Sequence, residues 1–343
     1  MANGTLNVLV VGTGKRVLST ALPAFASQGS AYAIRRLFAR RPKTVEAAGR
    51  EHSVEAFEGI TAADLDGIDL VYLAVTKDAV PSVLQRFSEL PVSGIDVLID
   101  TPVVRFKHFG HGAKLSAFRN AWVAEDVAFL PWIDAVRAAV AGGSIGSLRT
   151  LLLLQSAYAY HGVALAKAVA GSNVVRKGTR QANTGRAGLR HMRMGNGVEV
   201  HVVEPRNYES GRMAFVGTKG SIADFPYHEE SLLLEPQVKD GLIVGYTCGD
   251  HQAELTPSES ELTAGDPEGA TVTARMNAAK RVGFARLLGA IRSGSGGYPI
   301  GDAMDDMVVD YHLEKFRRYR ANPLTSYRSP LARSVLGAVT KRG

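Results

Sequence analysis

The residues best placed to do chemistry near the start of the chain form a glycine turn behind an aliphatic run. Leu9-Val10-Val11 leads directly into Gly12-Thr13-Gly14. A buried parallel strand reads as a continuous apolar run, and glycines after it let backbone N–H groups approach a pyrophosphate where the next helix begins. Val17 stands where a third small residue would complete the pattern. The turn therefore predicts a dinucleotide site. The cofactor-binding residues expected here are Gly12, Thr13, Gly14, Lys15 and Arg16.

The residues that would select the cofactor are Arg40 and Arg41, at the end of the second expected strand. An acidic residue there would bind the ribose hydroxyls of NAD, and none is present. Two guanidinium groups instead offer bidentate donors to a 2′-phosphate, which favours NADP over NAD. The alternative is that both arginines lie at a solvated sheet edge. Lys15 and Arg16 could likewise belong to a solvated first helical turn.

Composition narrows the class of protein. A length of 343 residues is typical of two domains. The sequence contains no run of about 18 apolar residues, which is the length needed to cross a bilayer. The formal net charge is +7, but the basic residues are scattered without interleaved aromatic residues, which argues against nucleic acid and for a small anionic ligand. No secretory pattern opens the chain, so a cytoplasmic location is expected. The single cysteine, Cys248, and the spacing of the histidines predict no metal site.

Short apolar runs alternate with helical spacing from residue 6 to about 124, as in a doubly wound parallel sheet. Asp78 is expected to cap a helix whose first turn holds Pro81. These segments predict a Rossmann domain over 1–124. The expected strands are 6–11, 33–39, 69–75, 95–100 and 121–124, and the expected helices are 15–27, 42–52, 78–90 and 106–118.

The pattern then changes to an α+β domain, expected over 125–325, with an open and mostly antiparallel sheet. Gly195-Asn196-Gly197 and Gly217-Thr218-Lys219-Gly220 each predict a hairpin turn. The expected strands are 148–160, 188–194, 197–204, 212–217, 220–224 and 231–235, the expected helices are 130–141, 162–170, 274–293 and 302–321, and 249–272 is expected to be a surface loop. Residues 326–343 are expected to form a basic tail. The open sheet suggests a homodimer or homotetramer.

Several segments, in this order along nearly the whole chain, resemble the glucose-fructose oxidoreductase, inositol dehydrogenase and MocA family. The order and spacing carry the resemblance more than any one segment does. The matching segments are Gly12-Thr13-Gly14, Ala21-Leu22-Pro23-Ala24-Phe25, Asp69-Leu70-Val71-Tyr72-Leu73-Ala74-Val75, Ile99-Asp100-Thr101-Pro102, Glu125-Asp126 with Pro131, Gly143-Ser144-Ile145-Gly146, the helix led by His161, and Gly217-Thr218-Lys219-Gly220-Ser221-Ile222.

The resemblance implies a nicotinamide cofactor and hydride transfer at the cleft between the two domains, to a sugar, polyol, imine or other carbonyl-derived substrate. It places Val75 and Thr76, at the end of the expected strand 69–75, among the cofactor-binding residues. Asp100-Thr101-Pro102 occupies the place of the family's glutamate-lysine-proline signature. Threonine can hydrogen-bond but cannot supply a positive charge or act as a general acid near neutral pH. Pro102 is expected to keep the turn, whereas Asp100 could equally be a plain turn residue.

The leading candidate for proton transfer is His161, because imidazole titrates near neutral pH and the matching residue of the family faces the nicotinamide. The aspartates frequent near that histidine are replaced by Ala157 and Ala164. His161 could therefore be a packed or capping residue instead. Tyr158 and Tyr160, expected on one face of the preceding strand, are the alternative proton donors, with core packing as the plainer interpretation of each.

Arg186 could hold a carboxylate or phosphate of the substrate if it faces the cleft. It belongs to a cluster with Arg190, His191 and Arg193, for which exposed charges along a sheet face are the default interpretation. Tyr208 is too isolated in sequence for a role to be assigned.

The sequence thus predicts an NADPH-dependent reductase of a small imine or carbonyl substrate, since a protonated iminium needs little acid assistance. Two alternatives stay open. One is a ligand-sensing or regulatory protein that binds nucleotide without redox chemistry. The other is a redox-neutral epimerase or lyase that holds its cofactor tightly.

Overall fold

The computed structural model describes residues 4–182, 187–265, 269–327 and Ser329. The chain divides into two compact units. The first unit contains residues 4–125, 284–304, 327 and 329, and the second contains 126–283 and 305–326, except for residues left undescribed. Arg186 and nearly all of the predicted basic tail lie outside the described residues. No helix in the described parts of the chain is long and apolar enough to cross a membrane.

The first unit is built on a mixed sheet whose central strands are all parallel. Its described strands are β1 (Leu6–Val11), β2 (Tyr32–Ala39), β3 (Lys43–Ala47), β4 (Arg50–Ala56), β5 (Leu70–Leu73), β6 (Asp96–Asp100), β7 (Ala121–Ala124) and β17 (Tyr298–Pro299). The order is β17-β7-β6-β5-β1-β2-β4-β3, with only the edge strands β3 and β17 antiparallel to their neighbours. The parallel strands β4-β2-β1-β5-β6-β7 thus have the order of a Rossmann sheet, which confirms the expected fold class.

The helix after the glycine turn is present over the predicted residues 15–27, first as a π-helical segment (Val17–Ala21) and then as α1 (Leu22–Ser27). Val17 is fully buried at its start. Helix α2 (Val80–Ser88) begins with Pro81 in its first turn, as expected, but its N-cap is Ala79 rather than Asp78. Residues 106–118 are not α-helical. They form a 3-10 segment, Phe106–Ala117, kinked at His108, in a stretch that two glycines weaken as a helix.

The helix predicted over 42–52 is wrong. Strands β3 and β4 form an antiparallel hairpin there, closed by Ala48 and Gly49, whose φ angles are 52° and 69°. Such a turn matches the twist of a hairpin, and β-branched Thr44 and Val45 favour the strand that precedes it. A short edge strand therefore replaces the usual crossover helix between β2 and β4.

The second unit contains an open sheet with mostly antiparallel pairs, as expected. Its described strands are β8 (Leu148–Leu154), β9 (Val175–Ala182), β10 (Gly188–Met194), β11 (Glu199–Glu204), β12 (Arg212–Gly217), β13 (Ser221–Ala223), β14 (Leu232–Lys239), β15 (Leu242–Cys248), β16 (His251–Glu254) and β18 (Arg318–Arg320). The order is β16-β15-β14-β13-β12-β8-β11-β10-β9-β18. Both predicted hairpin turns are confirmed, because they join the antiparallel pairs β10–β11 and β12–β13.

The helices of the second unit depart from the prediction mainly at their ends. The strand expected over 148–160 stops at Leu154, and the following helix starts three residues earlier than expected. The loop expected over 249–272 holds β16 and a short helix that Thr256 and Glu259 close as a capping box. The last helix ends at Phe316, and β18 takes up part of the expected helix 302–321. The helices that lie wholly or partly in this unit are α3 (Trp132–Ala141), α4 (Ala159–Ala170), α5 (Pro257–Glu261), α6 (Met276–Ser293) and α7 (Ile300–Phe316).

Candidate functional site

Gly12 lies where three parallel strands end. Its N–H donates to the Phe38 carbonyl at 2.7 Å, and the N–H of Ala74 donates to the Val11 carbonyl at 2.8 Å. The φ angle of Gly12 is 119°, and a Cβ atom on it would lie 2.1 Å from the Ala74 oxygen. Only glycine can therefore occupy this position, which brings the ends of β1, β2 and β5 close together.

Gly14, the next glycine, is not crowded by neighbouring atoms as Gly12 is. A Cβ atom on Gly14 would meet no atom within 4 Å, so the backbone is open on that side. The Gly14 carbonyl accepts the N–H groups of Val17 and Leu18 at 2.9 and 3.1 Å, which starts the helix. The first N–H groups of a helix lack partners within it and favour an anion. The turn therefore fits a pyrophosphate held by backbone N–H groups of Thr13, Gly14 and Lys15.

Arg40 and Arg41 follow β2 directly and are exposed. Because Gly12 bonds to Phe38, two residues before Arg40, both arginines leave the sheet beside the glycine turn. Among the described residues, neither guanidinium pairs with a carboxylate, and no acid stands between Phe38 and Lys43. Their charge remains available to an anionic group at this edge.

Arg16, which the sequence predicts near the pyrophosphate, makes contacts at the ends of two strands of the first unit. Its Nε lies 3.3 Å from Oδ1 of Asp100, its Nη2 donates to the Ala124 carbonyl at 3.4 Å, and its guanidinium lies over the Phe284 ring. These contacts tie the first helix to the carboxyl ends of β6 and β7. Asp100 is accordingly more than a turn residue, because its carboxylate anchors Arg16.

The sequence did not single out Lys77, which the structure places at the same edge. Its Nζ donates to the Asp100 carbonyl at 2.8 Å. Burial lowers the pKa of the Lys77 ammonium, Asp100 raises it in part, and the charge of Arg16 lowers it further. Lys77 follows Val75 and Thr76 after a fully buried strand, and that position was the available signal.

The turn that follows Asp100 contains a cis peptide bond between Thr101 and Pro102. The Thr101 hydroxyl donates to Oε2 of Glu125 at 2.9 Å, and Glu125 is buried. The turn is thus held rigidly by a carboxylate. Thr101 itself can offer a hydrogen bond but no charge.

In the second unit, the candidate proton donors lie in one turn, though not on the strand that was expected. Tyr158 is the N-cap of α4, and Tyr160 and His161 lie in its first turn. The ring centroids of Tyr158 and Tyr160 are 5.1 and 4.3 Å from that of His161. The expectation that both tyrosines share one strand face is wrong, because the chain leaves β8 after Leu154.

A buried carboxylate fixes this turn. Ala159 has a φ of 48°, and its N–H donates to Oε1 of Glu204 at 2.7 Å. The other oxygen of Glu204 lies 2.9 Å from Nε of Arg190, whose remaining nitrogens bind Asp310 and Glu314 on α7. Glu204 on β11 and Arg190 on β10 therefore link the start of α4 to α7.

Arg190 corrects the interpretation of its cluster as exposed charges. Its side chain is only 2% exposed, whereas His191 and Arg193 on the same strand are more exposed and pair with Glu199. The strand alternation puts Arg190 on the covered face. The default interpretation holds for His191 and Arg193 and is wrong for Arg190.

Tyr208, which the sequence left unassigned, belongs to the neighbourhood of the α4 turn. The guanidinium carbon of Arg206 lies 4.5 Å from the Tyr158 ring centroid and 5.4 Å from that of Tyr208. Lys280 donates from Nζ to the Tyr208 hydroxyl at 3.1 Å. Aromatic rings and cations thus continue from His161 along the surface of this unit. Within the described residues, no group of three or more His, Cys, Asp and Glu side chains could hold a metal.

No protein-family model and no curated protein sequence matches the chain. Solved structures do share its architecture. A myo-inositol dehydrogenase from Corynebacterium glutamicum superposes with a TM-score of 0.60 at 15% identity, over 93% of this chain and 99% of that chain. An aldose-aldose oxidoreductase from Caulobacter crescentus, complexed with glycerol, gives 0.60 at 12% identity over 92% and 100%. An oxidoreductase from Agrobacterium radiobacter, in complex with NAD+, L-tartaric acid and magnesium, gives 0.58 at 13% identity over 92% and 98%. At these identities the likeness establishes the fold, that of inositol dehydrogenases and related oxidoreductases.

Proposed function

We propose that the protein is an NAD(P)-dependent oxidoreductase, and in particular an NADPH-dependent reductase of a small imine or carbonyl compound. The observation that carries the proposal is Gly12, held against the Ala74 carbonyl at the carboxyl end of a parallel sheet with Rossmann strand order. Ligands of such sheets bind at this end, and a glycine turn there suits a pyrophosphate. The fold shared with an oxidoreductase bound to NAD+ supports it.

The preference for NADPH is supported by the loop after β2. Arg40 and Arg41 are exposed beside the glycine turn, with no carboxylate in the loop to repel a phosphate. A guanidinium binds a phosphate through two parallel N–H donors, whereas the 2′-hydroxyl of NAD is neutral and offers a single oxygen. We assign the 2′-phosphate to these arginines. Thr13, Gly14, Lys15, Val75, Thr76 and the turn of Asp100, Thr101 and Pro102 would hold the rest of the cofactor.

The nicotinamide supplies the hydride when it is bound. The protein must then supply the proton, and His161 is the proposed donor, with Tyr160 or Tyr158 as the alternatives in the same turn. Glu204 accepts the Ala159 N–H, which ties the backbone at the start of this turn to β11. Thr101 cannot act as a general acid near neutral pH, and Ala157 and Ala164 carry no acid–base group. Weak acid assistance favours a substrate that is already activated, such as a protonated iminium.

The proposal is tested by titrating the purified protein with NADPH and, separately, with NADH. Binding is measured as the quenching of protein fluorescence. We expect NADPH to bind more tightly than NADH. The double variant Arg40→Ser, Arg41→Ser should weaken NADPH binding by about ten-fold or more and so remove most of the difference between the two nucleotides. Arg50→Ser is the matched control, because Arg50 is exposed at the opposite end of the β3–β4 hairpin. Binding of neither nucleotide would contradict the proposal.

Incubation of the protein and NADPH with candidate imines and carbonyl compounds then separates the possible activities. Loss of nicotinamide absorbance is expected for a reductase. Nucleotide binding without turnover on any compound would favour a sensor. Nucleotide that copurifies and turns substrate over without net consumption would favour a redox-neutral enzyme.

A further inference from the structure

Arg206 is a cation without a counter-charge in the part of the chain that the structure describes. It is exposed, and no described carboxylate pairs with it. The nearest acid before it in sequence, Glu204, is buried and committed to Arg190 and to the Ala159 N–H. Arg206 is therefore an exposed positive charge, whereas the carboxylate of Glu204, two residues earlier, is buried.

Aromatic rings orient the Arg206 guanidinium. Its central carbon lies 4.5 Å from the centroid of Tyr158 and 5.4 Å from that of Tyr208. Stacking restrains a guanidinium while its N–H groups still point outward in the plane, where they match an oxyanion. Less side-chain freedom is then lost when an anion binds.

A second cation meets the same tyrosine. Nζ of Lys280, on α6, lies 3.1 Å from the Tyr208 hydroxyl and 5.3 Å from the centre of its ring. Arg206 and Lys280 therefore both contact the Tyr208 ring, which brings two positively charged side chains to one place on this unit. Arg binds a carboxylate or phosphate through two parallel N–H donors and Lys binds it as a point charge, and such charge-assisted hydrogen bonds are stronger than neutral ones.

The position of this pair relates it to the proposed chemistry. The Tyr158 ring, which contacts the Arg206 guanidinium, has its centroid 5.1 Å from that of the His161 ring. We propose that Arg206 and Lys280 form an anion-binding subsite that takes a carboxylate or phosphate group of the substrate, one aromatic ring away from His161. This inference rests on the proposed oxidoreductase function for the meaning of the site, but not for the binding of the anion.

Nuclear magnetic resonance of arginine Nε–Hε groups in the full-length protein tests the inference, with Arg206→Lys and Arg149→Lys used to assign the signals. Inorganic phosphate and malonate are titrated separately at constant ionic strength. We expect a saturable shift of the Arg206 signal and no saturable shift of Arg149, which is exposed on β8. Tighter phosphate binding would indicate a phosphate-bearing substrate, and tighter malonate binding a carboxylate.

Lys280→Gln is expected to weaken binding, read at the Arg206 signal, by about ten-fold. Lys219→Gln, an exposed lysine of the β12–β13 turn, is the matched control and should leave it unchanged. An Arg206 signal that neither anion saturates, or an affinity that Lys280→Gln leaves unchanged, would overturn the subsite. NADPH binding is measured on the same samples, so loss of the proposed function and loss of the subsite appear as separate results.

Discussion

Gly12 and Gly14 perform different tasks although they belong to one motif. Gly12 is required by backbone conformation and by the Ala74 carbonyl, whereas Gly14 has open space beside it. The sequence predicts both glycines, but it cannot tell which one the fold needs and which one a ligand needs. That distinction comes from the strand end of β5, far away in the chain.

We expect Gly12→Ala to lower the free energy of unfolding by about 2 kcal/mol or more, because the new Cβ meets the Ala74 oxygen at an unfavourable φ. Gly14→Ala is the matched variant, and it should leave stability nearly unchanged. Both should weaken NADPH binding, since each obstructs backbone approach to the pyrophosphate. Urea unfolding and fluorescence titration separate the effects. Equal stability losses in the two variants would contradict this division.

Lys77 predicts a definite dependence of stability on pH. Burial lowers its pKa in the folded protein, while the unfolded side chain keeps a value of about 10.4. Between these two values the unfolded chain binds more protons, so the free energy of unfolding rises with pH. Below the folded pKa, the buried charge is a constant cost.

Lys77→Met removes this dependence. Wild type is therefore expected to gain stability relative to Lys77→Met as the pH rises from 7 towards 10.5, as measured by urea unfolding at each pH. Lys107→Met is the control, because that side chain is 63% exposed in a surface pair. A difference between wild type and Lys77→Met that stays flat across this range would show that the Lys77 ammonium is not destabilised by the fold.

At the scale of elements, sequence patterns located most strands and misjudged what connects them. The apolar runs of β1, β5 and β6 predict buried strands because both faces of a parallel sheet are covered. The β3–β4 hairpin has no comparable run, and its positive-φ turn includes Ala48, which is an ordinary helix former. Tertiary pairing with β2 decides that segment. Local patterns could not reveal it.

The turn that carries His161 was missed at its start for a similar reason. Tyr158 and Tyr160 continue the alternation of β8, but the helix begins at Ala159, whose N–H donates to the Glu204 carboxylate far along the chain. The candidate residues were found, but their arrangement depends on a buried ion-pair network. That network contains Arg190, which looks like any other strand arginine in the sequence.

Arg190→Met tests the network. Removing the guanidinium leaves Asp310 without the arginine that pairs with it, and leaves Glu204 with only the more distant Arg180, at 3.8 Å. We therefore expect a loss of about 3 kcal/mol in the free energy of unfolding. Arg193→Met on the same strand is the matched control. Its side chain is 48% exposed, so it should change stability by only about 0.5 kcal/mol. Similar losses in both variants would mean that the buried network does not stabilise this unit.

At the scale of the whole molecule, the sequence predicted two domains as successive stretches, and the chain crosses between its units more than once. Residues 284–304 belong with the first unit. Phe284 packs on Phe25 and Tyr72, and the Tyr32 hydroxyl donates to the Leu288 carbonyl at 2.8 Å. The spacing of apolar residues in a helix such as α6 predicts that the helix packs on a core, but it does not indicate which unit that core belongs to. Such crossings could not be predicted from periodicity.

The open sheet of the second unit supports a proposal about assembly. Leu151 and Leu153 of β8 are fully buried, whereas Leu152 and Leu154, on the other face, are only half-buried. Val203 of β11 pairs with Leu154 on that side and is half-buried as well. These three residues form a small, half-buried apolar patch that His201 and Arg212 border, and an apolar patch with a polar rim is typical of an interface.

A second copy of the chain is the expected cover for this face, which gives a homodimer or homotetramer with a self-complementary interface. Leu154→Glu should therefore dissociate the assembly towards monomer at micromolar concentration, because a carboxylate would be buried unpaired at the interface. Leu233→Glu is the control, since Leu233 on β14 is already 38% exposed. Light scattering coupled to size-exclusion chromatography measures both, with circular dichroism to verify folding. A wild-type protein that is monomeric throughout would refute the proposed assembly.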